Sequence, residues 1–289
     1  MSLSTSLFNV LSRIIEEVWL EDEEKKTTEG KEPDDPLRHI FLYYANITQM
    51  CYRNLDPFEH LREFTFHEDN SVFRPNFFTA IDSYTNSAVI CIRGTKTYKD
   101  AITNLDLAIH NLDEPSYVHK GHYLAGDYVY KKCKEFIDTC IEKSINNIVL
   151  LGHSYGASVA SVLYLILSQE YPRSNITAFV YAPMPCMSLD LAQRLSGKIT
   201  SIVLEDDLVP RLTCKNMSGY FTEKKIPFDR DFYLPGDVYQ IRGKTLHRLQ
   251  NHHYFDNIRI TAKSISDHLL HNYVRRLQDI SPHSQSHTS

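Results

Sequence analysis

Apolar residues near the start of the chain recur at three- and four-residue spacing, which is typical of amphipathic helices. This spacing predicts a first helix over residues 5–22 and a second over residues 37–52. The charged, proline-containing stretch from Glu21 to Asp35 predicts a loop between them. Because the polar side of the first helix is acidic, we expect its apolar face to pack on the rest of the chain rather than on anionic lipid.

A β-hairpin follows, and beyond it strands alternate with helices. The hairpin comprises a strand at Thr79–Ser83, a turn near Asn86 and the strand Ala88–Ile92, whose nearly continuous apolar composition predicts burial on both faces. The later predicted segments are a helix over about 116–143, strand Asn147–Leu151, helix Tyr155–Gln169, strand Ile176–Tyr181, helix Leu189–Leu195, strand Ile199–Leu204, strand Val238–Ile241 and a helix from about Ser264 to Leu277.

This alternation predicts an α/β fold with a mostly parallel central sheet and helices on both faces. We expect a single domain over residues 1–280, with an N-terminal helical segment over 1–60, because no long linker divides the alternating region. The Ser-, His- and Gln-containing residues 281–289 are expected to form a disordered tail.

Composition and charge narrow the classes of function. The net charge is -5 at pH 7, and a weakly acidic chain lacks the basic surface of a nucleic-acid-binding protein. The six cysteines form no C-x-x-C pair and no zinc-ligand cluster with histidine, so we expect reduced thiols. The sequence shows no secretory-signal pattern and no run of about eighteen apolar residues. We therefore expect a cytoplasmic protein, at most peripheral on membranes.

The strongest chemical signal is a G-x-S-x-G motif between a buried strand and a helix. Gly152-His153-Ser154-Tyr155-Gly156 joins the predicted strand at 147–151 to the predicted helix at 155–169. This context is that of a nucleophile elbow, in which the serine hydroxyl projects from a strained turn and side chains at both glycines would collide with their neighbours. The motif predicts a serine hydrolase with an α/β-hydrolase fold and Ser154 as the nucleophile.

A serine nucleophile needs a histidine base and a carboxylate that orients it, and in this fold both follow the serine in the chain. The strand Ile199–Leu204 ends in carboxylates, of which Asp207 is the predicted acid and Asp206 the alternative, because adjacent residues of an extended chain point in opposite directions. His268, at the start of the last predicted helix, is the predicted base. The alternatives are His271 and three histidines expected in a solvated polar loop: His247, His252 and His253.

The motifs together resemble the class 3 lipase family, within it the diacylglycerol-lipase-like branch. The resemblance covers roughly residues 75–280 in family order. The segments that carry it are Arg93-Gly94-Thr95, Asp100 to Leu105, Val118-His119-Lys120-Gly121, Gly152-His153-Ser154-Tyr155-Gly156, Tyr181-Ala182-Pro183, Asp207-Leu208-Val209-Pro210-Arg211, Leu234-Pro235-Gly236 and Asp267-His268-Leu269. Two departures are Tyr155, where the family often has Leu, and Asn104, where it often has Asp.

The resemblance implies lipase activity on acylglycerols, with a catalytic triad of Ser154, Asp207 and His268. It further implies an oxyanion hole formed by Thr95 and the backbone N–H of Tyr155. It also implies a lid within residues 96–117, although a fixed amphipathic helix on the core explains the apolar residues there equally well. The expected partner is a lipid or small ester substrate, with transient contact to a membrane or micelle surface, and the chemistry requires no metal or organic cofactor.

Two other functions fit the same sequence. One is a serine hydrolase with another substrate, either a phospholipase A1 or a short-chain esterase, which chain-length and head-group preference would distinguish. The other is a non-catalytic lipase-like binding protein, because a fold alone does not prove activity. The presence of all three candidate triad residues disfavours this last alternative, since a binding protein has no physical need for them.

Overall fold

The computed structural model describes residues 35–52, 57–69, 71–95, 108–216, 230–250, 255, 258 and 260–280. The predicted helix at 5–22, residues 96–107 of the predicted lid at 96–117, and the predicted tail at 281–289 lie outside the described residues, as do His252 and His253. Within the described part, no helix is long and apolar enough to cross a membrane.

Within the described residues, the largest sheet has eight strands. Its strands are β1 (Leu61–His67), β2 (Phe77–Asp82), β3 (Ser87–Ile92), β6 (Asn147–His153), β7 (Asn175–Tyr181), β8 (Ile199–Leu204), β9 (Asp237–Arg242) and β10 (Thr245–Arg248), in that spatial order. The pairs from β3 to β9 are parallel, and β1, β2 and β10 add antiparallel edges. The predicted mostly parallel sheet is thereby confirmed.

Alternating side chains of the central strands enter two separate cores, as the two-residue period of a strand requires. In β3, Ile90 and Ile92 belong to one core, whereas Val89 and Cys91 belong to the other. The helices α2 (Lys120–Glu142) and α3 (Tyr155–Glu170) cover the first core, and α1 (Asp35–Gln49) covers the second. Burial on both faces explains why this strand is apolar from Ala88 to Ile92.

The remaining elements lie around this sheet. A short antiparallel pair, β4 (Ile109–Asn111) and β5 (Tyr117–His119), precedes α2. The helix α4 (Leu189–Arg194) connects β7 to β8, and a 3-10 turn at Val209–Arg211 follows β8. Two helices close the described chain, α5 (Ala262–Asp267) and α6 (Leu270–Asp279).

Three sequence-based predictions of secondary structure are wrong in instructive ways. The predicted helix over 116–143 begins only at Lys120, because residues 117–119 pair with β4. The predicted final helix is two helices, since Leu269 has extended backbone (φ -75°, ψ 124°). His247 lies in β10 rather than in a loop, paired with Gln240 of β9. Strands β1, β4, β5 and β10 lacked a recognisable apolar pattern.

Cysteine placement agrees with the sequence analysis. All six cysteines are buried and free. Cys133 and Cys140 share the buried face of α2, where burial raises the pKa of the Cys133 thiol to about 12 and that of Cys140 to about 11. Such thiols stay protonated and unreactive at neutral pH.

Candidate active site

The turn between β6 and α3 presents Ser154 in a sparsely populated backbone conformation, with φ 58° and ψ -129°. A Cβ atom on Gly152 would come within 3.0 Å of the Gly156 backbone, and one on Gly156 would come equally close to the Ile92 carbonyl. Both glycines are therefore required for α3 to pack this tightly against the sheet. This arrangement is that of a nucleophile elbow.

Asp207 follows β8 and is completely buried. Its carboxylate accepts a hydrogen bond from the Val209 backbone N–H at 2.9 Å and another from the Tyr273 hydroxyl at 2.6 Å. The same hydroxyl accepts from the backbone N–H of Leu204 at 3.0 Å. These donors compensate the desolvation of the carboxylate and fix its orientation.

His268 lies where the chain changes from α5 to α6, and it connects the acid to the serine. Its Nδ1 lies 3.0 and 3.1 Å from the two carboxylate oxygens of Asp207. Its Nε2 lies 2.8 Å from the hydroxyl oxygen of Ser154. Since a carboxylate can only accept, Nδ1 carries the hydrogen in the neutral imidazole, and Nε2 is free to accept the serine proton. The structure thus brings the three predicted triad residues together.

The two candidate oxyanion donors come from different segments, the loop after β3 and the start of α3. Thr95 is half-buried at the end of the segment after β3. Tyr155 begins α3, whose first intrahelical bonds are donated by Ala157 and Ser158 to the Ser154 carbonyl. The Tyr155 N–H precedes these donors, so the helix supplies no acceptor for it. It is therefore available to a negative charge that develops beside Ser154.

A sequence model of the family described as lipase (class 3) matches residues 89–217. Over this range the chain is similar to class 3 lipases. Human diacylglycerol lipase-alpha is 28% identical over 165 residues, which cover 52% of this chain and 16% of that protein. Mouse diacylglycerol lipase-beta is 26% identical over 185 residues, covering 61% and 26% respectively. The matched region thus covers about a quarter or less of the length of these relatives, and over that region the chain is similar in sequence to diacylglycerol lipases.

Solved structures with low sequence identity share the α/β-hydrolase fold of this chain. The Rhizopus microsporus var. chinensis lipase has a TM-score of 0.67 at 15% identity, covering 87% of this chain and 91% of that one. Yarrowia lipolytica Lip2 has a TM-score of 0.61 at 18% identity, covering 78% and 90%. A triacylglycerol lipase whose catalytic centre is a serine protease triad has a TM-score of 0.66 at 16% identity, covering 83% and 96%.

The alternative acid and its neighbour lie outside the hydrogen-bonded triad. The side chain of Asp206 is 58% exposed and lies 3.6 Å from Lys263 and 3.7 Å from Arg211. Asp267 pairs with Lys263 at 2.6 Å and accepts from the Asp206 N–H. Burial raises the pKa of the Asp267 carboxyl. Both residues stabilise the chain around Asp207 rather than contact His268.

The alternative bases are also placed away from Ser154. The Nε2 of His247 lies 2.7 Å from the Thr245 hydroxyl, within β10. His271 is exposed on α6. The sequence favoured His268 over these two histidines by its place at the start of the last predicted helix, but it left both of them open as alternatives. Their distance from the elbow depends on the course of β9, β10 and the two last helices.

Three residues of the site were not singled out from the sequence. Tyr273 orients Asp207, and its place on α6 resembles that of any core tyrosine. His153 is the variable residue of the G-x-S-x-G motif, and its ring is buried beside His268, with ring centroids 4.9 Å apart. Tyr52 follows α1, well before the motif in sequence, and no local pattern connects it with the elbow.

Proposed function

We propose that the chain is a serine ester hydrolase, a lipase that cleaves acyl esters of glycerolipids such as mono- or diacylglycerol through an acyl-enzyme. The observation that carries this proposal is the hydrogen-bonded series from Asp207 through His268 to Ser154. The match to the class 3 lipase model and the similarity to diacylglycerol lipases support the proposed substrate class. The structural neighbour with a serine protease triad is itself described as a triacylglycerol lipase.

In the first half of the proposed reaction, the Ser154 hydroxyl attacks the ester carbonyl. His268 Nε2, at 2.8 Å, takes the serine proton and then donates it to the leaving alcohol. Asp207 holds the imidazole in the tautomer that leaves Nε2 unprotonated, and its negative charge stabilises the imidazolium that forms. In the second half, water repeats the sequence on the acyl-enzyme.

The proposed oxyanion donors are Thr95 and the backbone N–H of Tyr155. Support for the second comes from its position at the N-terminus of the 16-residue helix α3, where the helix dipole favours negative charge. Loss of one such donor typically costs about 3–4 kcal/mol of transition-state stabilisation, or 10²–10³ in kcat. The Ser154 backbone N–H is excluded from this role because it donates to the Tyr181 carbonyl at 2.9 Å.

We also propose that the enzyme acts on lipid at a micelle or membrane surface, with residues 96–117 as a lid over the acyl-binding site. Leu269, next to the proposed base, is 47% exposed and apolar. Its position is suited to contact with an acyl chain or a lipid surface at the rim of the site.

The test is hydrolysis of p-nitrophenyl esters of two, eight and sixteen carbons, and of emulsified diacylglycerol and phosphatidylcholine, by the wild type, Ser154→Ala and Ser168→Ala. Ser168 lies on the same helix, and its hydroxyl donates to the Leu165 carbonyl at 2.8 Å. We expect turnover that is lost in Ser154→Ala and kept in Ser168→Ala, with longer esters and diacylglycerol preferred.

Other outcomes identify the alternatives. Faster release of fatty acid from phosphatidylcholine than from diacylglycerol would indicate a phospholipase. A preference for the two-carbon ester would indicate a short-chain esterase. Turnover no higher than that of Ser154→Ala, even with detergent micelles present, would refute the catalytic proposal and favour a binding protein.

A further inference from the structure

One tyrosine hydroxyl contacts two segments of the proposed active site directly and a third through a histidine ring. Tyr52 follows α1 and is bonded into a turn through its backbone N–H, which donates to Gln49 at 3.0 Å. Its hydroxyl accepts the Gly94 backbone N–H at 2.8 Å and lies 3.0 Å from Nδ1 of His153. The other ring nitrogen of His153 lies 2.8 Å from the backbone carbonyl of His268.

The direction of every bond in this series follows from the chemistry of its ends. The His268 carbonyl can only accept, so Nε2 of His153 carries a hydrogen. Burial, with a smaller contribution from the neighbouring His268, lowers the pKa of His153 to about 3, so its ring is neutral at neutral pH. Its Nδ1 is then an acceptor, and the Tyr52 hydroxyl must donate to it. Burial raises the pKa of Tyr52 and keeps that proton in place.

The series runs from Gly94 N–H to Tyr52, from Tyr52 to His153, and from His153 to the His268 carbonyl. Gly94 directly precedes Thr95, a proposed oxyanion donor. His153 directly precedes Ser154, and the His268 ring accepts the serine proton. Each bond therefore constrains the backbone of a segment that carries a group of the proposed mechanism.

The segment at Gly94 is held closely as well as bonded. A Cβ atom there would collide with the Tyr52 hydroxyl and the His153 carbonyl, and would lie 3.1 Å from the Ser154 Cβ. The Arg93 guanidinium lies over the Tyr52 ring, 5.4 Å from its centroid. The Tyr52 ring therefore packs against this segment, and the Tyr52 hydroxyl fixes the position of Gly94 relative to the nucleophile elbow.

We propose that Tyr52 is a positioning residue for the hydrolytic reaction: its hydroxyl holds the Gly94–Thr95 segment and the backbone of His268 in register with Ser154. This inference rests on the proposed function. Tyr52 lies outside the 89–217 match to the family model, so the proposal extends the functional site to the end of α1. A displacement of about 1 Å between reacting groups can cost about 10²-fold in rate.

The test compares Tyr52→Phe with Tyr43→Phe in steady-state hydrolysis of a p-nitrophenyl ester and in thermal unfolding. Tyr52→Phe keeps the ring under Arg93 and removes only the hydroxyl. Tyr43→Phe is the matched control, because Tyr43 lies on α1 and donates to Asp82 at 2.8 Å, where β2 ends. We expect a fall in kcat of about 10- to 100-fold in Tyr52→Phe with KM unchanged. The control should keep wild-type kcat.

A second variant, His153→Gln, breaks the series from the other side and does not depend on the folding of Tyr52→Phe. If both residues act through one series, the double variant should lose no more kcat than the larger single loss. Additive losses would overturn the proposal. It would also fail if Tyr52→Phe kept kcat within twofold of wild type, or if its loss merely matched a fall in melting temperature shared with Tyr43→Phe.

Failure of the proposed function gives a different pattern. In that case the wild type and Ser154→Ala would turn over substrate equally slowly, and Tyr52→Phe would make no difference. An active wild type with an equally active Tyr52→Phe would overturn the positioning role alone.

Discussion

Replacing Ser154 by glycine and by alanine separates the backbone strain of the elbow from the loss of the hydroxyl. Both variants lack the nucleophile and the hydrogen bond to His268, so they differ only in the Cβ atom. With φ 58° and ψ -129°, residue 154 has a conformation close to the first central position of a type II′ turn, which glycine favours. We expect Ser154→Gly to be more stable than Ser154→Ala.

The expected difference follows from two opposing terms. A residue with a side chain in such a region costs on the order of 1–3 kcal/mol. Glycine recovers this cost but loses about 0.4–1 kcal/mol through the greater freedom of its unfolded chain. The net advantage of glycine is therefore about 0.5–2 kcal/mol, which corresponds to a rise in melting temperature of about 1–8 °C for a chain of this size.

Urea unfolding followed by circular dichroism measures this difference directly. The control is the same pair of substitutions at Ser168, which lies in the helix α3 (Tyr155–Glu170). There alanine should be the more stable by about 0.5–1 kcal/mol. The sign of the glycine effect should thus reverse between the two positions. Equal signs at both positions would refute the reasoning that the elbow stores backbone strain.

Three further predictions concern the buried polar groups. Asp207→Asn should lower kcat by about 10⁴ without unfolding the protein, because the amide favours the wrong tautomer of the base; steady-state kinetics that retain a tenth of the activity would contradict this. Tyr273→Phe should cost about 3–5 kcal/mol in urea unfolding, since it removes a bond to a charged group and leaves the buried Leu204 N–H unpaired; a loss under 1 kcal/mol would contradict it. Burial lowers the pKa of His153 to about 3 and that of His122 well below its usual value, so the unfolded state binds more protons between about pH 3 and 6.5. The contribution of these two histidines to the free energy of unfolding should therefore be constant above about pH 6.5. Below that pH the free energy of unfolding should fall by up to about 1.4 kcal/mol per pH unit for each histidine. Its slope against pH should be shallower in His122→Phe than in the wild type.

Much of the fold was predictable because a parallel sheet that is buried on both faces requires runs of apolar residues in its central strands. The strands β3, β6, β7 and β8 are mostly apolar, and helices lie between them in the chain. The edge strands were not predicted because they lack such apolar runs. β1 is mostly exposed, so its pattern Leu61–His67 carries little apolar alternation, and its strand conformation depends on pairing with β2.

The break between α5 and α6 could not be predicted from the spacing of apolar residues, for a different reason. Residues 264–277 have an apolar spacing that fits one continuous helix. In the structure the chain turns at Leu269, and the Asn272 side chain donates to the Ser266 carbonyl across the turn at 2.7 Å. This turn places the His268 ring over Ser154. A local pattern cannot encode it, because the position of the ring depends on contacts with β6 and β8.

The sequence by itself determined the identity and order of the chemical groups: a serine in a strand–turn–helix context, then an acid after a later strand, then a histidine. These are local signals, since a strained elbow needs glycines at fixed spacing and a buried strand needs apolar residues. Only the tertiary structure decided which acid and which histidine meet the serine, and it alone brought Tyr52, His153 and Tyr273 beside them. Hydrogen bonds between residues 42 to 115 positions apart depend on the packing of whole elements, and this packing has no periodic signature in the sequence.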